Sequence, residues 1–159
     1  MKKTIYSILI ACSIIASPFS FADDDVLGKV DTSFNTFGAN DHIEIRRFSD
    51  PDIDGITCHI SSARKGGVKA SFGLAEDASN ASVACRQTGP ISFNEKVVEK
   101  QKEVFTQKRS ALFKKLHVVR MHDKANKTFV YLVYSDKLID GSPKNAISSV
   151  PYYNGYSLK

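Results

Sequence analysis

Ile56, Cys58 and Ile60 alternate with Thr57, His59 and Ser61, and Val83 and Cys85 alternate in the same fashion. A period of two is the mark of a half-buried β-strand, in which neighbouring side chains point to opposite faces. Each cysteine therefore shares its inward face with large aliphatic residues. His59, next to Cys58 in sequence, is turned the other way, which argues against a Cys-His catalytic couple. Two inward thiols on apolar strands are what a structural staple needs. A Cys58 to Cys85 disulfide is the reading adopted here, worth about 3 to 4 kcal/mol in the chain-entropy model. Its rivals are a buried free pair and a catalytic or metal-binding thiol.

The compartment bears on that choice. Lys2 and Lys3 precede an apolar run from Ile5 to Ile15, interrupted only by Ser7, Cys12 and Ser13. The run is too short to span a bilayer as a helix and reads as an export signal. Ser20 and Ala22 place cleavage after Ala22, so that residues 1–22 are removed and residues 23–159 form one domain. Leu9 to Cys12 also has the look of a lipobox, which would leave a lipoprotein anchored at Cys12. Against it, only eleven residues precede Cys12 and those that follow remain apolar. Loss of the leader discards Cys12 and leaves two cysteines in an oxidising, periplasmic setting, where they pair.

The chain of 159 residues carries a formal charge of +5, and the leader takes two lysines with it. The remaining +3 falls short of the density of a nucleic-acid binder, so no nucleic acid is expected as a partner. No later stretch is apolar and long enough for a transmembrane segment in the mature chain.

Short strand-like segments cover most of the chain: Val26 to Phe34, His42 to Phe48, Gly55 to Ser62, Ser82 to Thr88, Val104 to Arg109, Leu112 to His122 and Thr128 to Ser135. Phe129, Tyr131 and Val133 fill one face of the last, and Val130, Leu132 and Tyr134 the other, which predicts a central strand. "SDPDIDG" reads as a tight surface turn, Gly89 and Pro90 as a break, and "DKANK" as a hairpin loop. Helical spacing is confined to Glu95 to Lys102 and a turn near Leu74 to Ala78. These elements predict a mainly β fold, a single antiparallel barrel-like or sandwich domain with one or two short helices; α+β is the alternative.

The runs "VDTSFNTFG", "ITCHISSARKGGVKASFGLAED", "ACRQTGPI", "LHVVR" and "YSDKLIDGSPKNAISSVP", in this order over nearly all of residues 23–159, resemble the CreA family of exported bacterial proteins. The charged stretch "EKVVEKQKEVF" and the tail "YYNGYSLK" depart from the family pattern. The resemblance implies a small periplasmic protein with no assigned catalytic residues, and its cysteine pair falls on Cys58 and Cys85.

Candidate sites are few. "DGSPKNAISSVP" is a turn leading into an edge strand, and Asp140, Ser142, Lys144 and Asn145 could form the rim of a ligand or partner site. Arg64, Lys65, Gly66, Gly67 and Lys69 make a basic glycine-rich loop that suits either turn geometry or an anion. His42, His59, His117 and His122 lack metal-ligand spacing, and His117 and His122 fall on opposite strand faces. Glu76 and Asp77 are adjacent carboxylates of a loop. The run from Lys96 to Lys115 interleaves lysines with Glu99 and Glu103, as a solvated face does, or as a surface drawn to an anionic envelope. "PYYNGY" is either a binding patch or a tail strand closing the core. No metal and no cofactor is expected. The reading is a non-enzymatic binding or accessory module of the envelope, its partner or ligand unknown and its oligomeric state not written in the residues. A small hydrolase with a site assembled from distant loops is the alternative.

Overall fold

The computed structural model describes residues 25–68, 80–108, 115–135, 144–153 and 156–159. The leader, the turn expected near Leu74 to Ala78, Glu76 and Asp77, Lys69, Arg109, and two of the rim residues, Asp140 and Ser142, fall outside these. Among the described residues, strands and a helical turn follow in order: β1 (Asp25–Ser33), β2 (Asp41–Ser49), β3 (Ile53–Arg64), β4 (Ala81–Phe93), α1 (Glu95–Val98), β5 (Lys102–Lys108), β6 (Lys115–Asp123), β7 (Thr128–Ser135), β8 (Asn145–Pro151) and β9 (Ser157–Leu158). They form a five-stranded sheet, β1-β2-β3-β4-β9, and a four-stranded sheet, β5-β6-β7-β8. All neighbours are antiparallel except the short β4 and β9 pair. The fold is sandwich-like, and the strands do not close into a barrel.

Alternation does what the sequence leads one to expect. Ile56, Cys58 and Ile60 of β3 are buried, and so are Phe129, Tyr131 and Val133 of β7, the central strand between β6 and β8. Phe48 stacks on Phe105 at 4.7 Å across the sheets, and Phe93 meets Phe129 edge-on at 5.1 Å. Rings in these geometries contribute beyond their buried area. Cys58 and Cys85 are partners in the β3/β4 register and are joined as a disulfide, both fully buried. The next link reaches the second sheet, where the Cys85 N–H donates to Ser148 Oγ of β8 at 2.8 Å.

Three expectations need correction. Gly89 and Pro90 do not end a strand, since β4 runs through them to Phe93. Ile56 pairs with Gln87 while Asp54 pairs with Ser92, so Gly55 alone faces the intervening residues. Proline is tolerated at such a bulge because it owes the ladder no N–H there. Gly55 has φ +79°, and a Cβ on it would lie 2.3 Å from the Pro90 carbonyl oxygen. The helix expected over Glu95 to Lys102 is one turn, capped by Asn94 Oδ1 on the Lys96 N–H at 3.0 Å and pinned by fully buried Val98. Beyond it Lys102 already pairs with Arg120 of β6. "SDPDIDG" does turn at Pro51 and Asp52 with Pro51 exposed, but it is more than a surface turn, because Asp50 and Ile53 are buried.

The tail closes the core. Tyr152 is buried against Phe129, Tyr156 stacks on Phe93 at 5.4 Å, and the Lys159 N–H donates to the Phe93 carbonyl at 3.0 Å.

Candidate functional site: a polar cleft at the start of β8

Ser61 of β3 is the register partner of Ser82 of β4, and their hydroxyls lie 2.8 Å apart. Ile43 of β2 is the register partner of Ala63. Period two puts Ile43, Ser61, Ala63 and Ser82 on the face opposite Ile60 and Cys58, away from the core. Beside this face, β8 begins with the exposed Lys144 and Asn145. Together with Asn80 and Ala81 these residues line an open cleft of about 570 Å³. Its groups are the hydroxyls of Ser61, Ser82 and the buried Ser62, two amides and one ammonium over an aliphatic floor, a set that offers hydrogen bonds and positive charge. Two of the four expected rim residues, Lys144 and Asn145, are thus at a cleft. The serines opposite them carried no sequence signal beyond strand alternation.

Two cross-links hold the walls in register. The disulfide ties β3 to β4 three residues from the Ser61/Ser82 pair. The Cys85 to Ser148 hydrogen bond then places β8, and with it Asn145, against β4.

The described part of the basic loop, Arg64 to Gly67, is tied down internally. Lys65 pairs with Asp41 at 3.0 Å, the Gly66 N–H donates to Asp41 Oδ1 at 2.8 Å, and Arg64 pairs with Glu44 at 3.2 Å. Asp41 is therefore held far below the usual carboxylate range, first by the Gly66 N–H and then by Lys65 and Asn35. Donors that an external anion would use already serve an internal one. Gly66 is required by close approach, because a Cβ there would lie 2.0 Å from the Ala39 carbonyl oxygen.

The histidines lie apart. His117 Nδ1 is 2.6 Å from Glu103 Oε2 and its ring stacks on Tyr134 at 5.1 Å. Tyr134 lines a second hollow of about 440 Å³ with Gln101, Val119, Leu132 and Asn145. His122 sits on the inner face, 2.6 Å from the Tyr152 hydroxyl and stacked on Phe129. Burial, with Lys124 and Arg120 near, lowers its pKa and favours the neutral ring. Among the described residues no three His, Cys, Asp or Glu side chains gather as a metal site.

A buried charge cluster escaped the sequence reading. Arg120 is fully buried and pairs with Asp50 Oδ1 at 2.7 Å and Asp52 Oδ2 at 3.0 Å. Tyr131 donates to Asp50 Oδ2 at 2.8 Å, and Lys102 holds Asp52 at 2.8 Å. Burial pushes the Asp50 carboxyl up against the pull of Arg120. Burial acts on Asp52 in the same sense, but Lys102 and Arg120 outweigh it and its pKa ends low. Burial and the Asp50 charge together raise the Tyr131 hydroxyl well above its ordinary value. The clue was available in "LHVVR": alternation from Leu116 and Val118 turns Arg120 inward, and a buried guanidinium needs a buried acid.

The CreA protein family model matches residues 27–155. Over 152 residues the chain is 44% identical to Protein CreA of Escherichia coli K12, an alignment covering 94% of this chain and 96% of that protein. Protein CreA of Escherichia coli O157:H7 gives the same identity and coverage. No solved structure matches the chain.

Proposed function

From the premise that this chain belongs to the CreA family, we propose that it is an exported, periplasmic protein that acts by binding, through the cleft formed by Lys144, Asn145 and the serines of β3 and β4. The cleft's lining carries this reading. Hydroxyls, amides and one ammonium over an aliphatic floor suit a polar ligand or partner segment bearing hydroxyl or anionic groups. Support for export comes from the leader-like residues 1–22 and from a disulfide of the kind that oxidising compartments preserve. No helix among the described residues is long and apolar enough to cross a membrane.

The test is affinity capture from envelope extracts with the naturally processed protein and a Lys144→Ala/Asn145→Ala variant. Loss of one or two polar contacts weakens binding by about tenfold, so the variant should recover clearly less of whatever the native protein retains. Equal recovery of the same partners sinks the cleft. Mass spectrometry of the periplasmic fraction should find a chain beginning at Asp23, whereas a lipid adduct on Cys12 would replace that picture with an anchored lipoprotein.

A second reading, a small hydrolase, draws on the Glu103 and His117 pair beside the second hollow, since a carboxylate can orient a histidine as a general base. Turnover of ester or amide probes abolished by His117→Ala would favour it over binding.

A further inference from the structure

Strand β1 is the outermost strand of its sheet, and all nine of its residues are exposed. Within it Val26, Leu27 and Val30 are 50, 52 and 65% exposed, and the loop that follows carries Phe34 at 90% and Phe37 at 75%. Five large apolar side chains along one open sheet edge are unusual in a chain that stays alone, because such an edge offers unpaired backbone groups as well as oily surface.

We propose that this edge pairs with the β1 of a second copy of this chain, antiparallel and with the two-fold axis at Val30. The charge pattern selects that partner and that register. A two-fold axis at Val30 sets Lys29 opposite Asp31 of the other copy, and this happens twice. Gly28 then faces Thr32, and Val26 faces the exposed ring of Phe34. An axis at Lys29 sets Lys29 against itself, one at Gly28 sets Asp25 against Asp31, and one at Leu27, which would set Asp25 opposite Lys29, falls on the irregularity between Val26 and Gly28 and on an Asp25 already paired with Arg47. Opposite charges across a strand pair stabilise it and like charges oppose it. The residues from Gly28 to Asp31 are paired to β2 without irregularity, so this stretch is a regular ladder ready to extend. Val30 is also the register partner of Ile43, which remains 39% exposed and lines the cleft. The dimer is isologous, a ten-stranded sheet carrying both clefts.

Sedimentation velocity on the naturally processed protein should show a monomer–dimer equilibrium at micromolar concentration that weakens with salt. Lys29→Asp places like charges opposite each other twice and should raise the dissociation constant at least tenfold. Lys29→Asp combined with Asp31→Lys restores opposite signs and should bring it back to within about threefold of the native value. Circular dichroism of each variant confirms folding, and because the second substitution rescues the first, a folding defect cannot mimic the result. A native protein that stays monomeric, a Lys29→Asp variant that dimerises as before, or a double variant that fails to recover would each overturn the proposal.

Discussion

The charge of Arg120, fully buried, is met by the equally buried Asp50 and by the partly exposed Asp52. Removing one member of such a pair leaves the other buried and uncompensated, which costs about 3 to 5 kcal/mol. Arg120→Met should therefore lower the urea midpoint by that equivalent, and adding Asp50→Asn should recover part of the loss. Asp41 makes the opposite case, a carboxylate favoured in its charged form by Gly66, Lys65 and Asn35. Its folded pKa lies below its unfolded one. The stability it contributes is thus complete above the ordinary carboxylate range and is lost as pH falls through that range toward the folded value. Native protein and Asp41→Asn should differ in urea midpoint at neutral pH and converge in strong acid.

Among the elements, β4 depends on one backbone position in its neighbour. Gly55 combines a left-handed φ with a carbonyl oxygen where a side chain would start, so Gly55→Ala must either push the Pro90 bulge outward or strain its own backbone. A loss of about 1 to 3 kcal/mol is expected in chemical denaturation, with native Cys58–Cys85 pairing retained. The same bulge explains why the extent of β4 was misread. Glycine and proline usually punctuate, and nothing local reveals that a partner strand supplies a glycine to absorb both. The helix was overextended for a related reason. Val97, Val98 and Gln101 have helical spacing, but β6 claims the backbone from Lys102 onward, and tertiary pairing overrides a four-residue preference.

At the scale of the molecule, what alternation controls was legible: the strands, the inward cysteines, the central place of β7 and the mainly β class, with barrel and sandwich both left open. What depends on distant segments meeting was not. Asp50 looked like a turn residue because its partner Arg120 is 70 positions away, and the cleft's serines looked like ordinary outward strand positions until β8 was laid beside them. Lys144 and Asn145 were found only because the stretch containing them resembles a family motif. The bond from the Cys85 N–H to Ser148 Oγ spans 63 residues and joins the two sheets. That single amide proton is sheltered only while both halves are together, so its exchange with deuterium gauges completed assembly from within, with no label, ligand or assay.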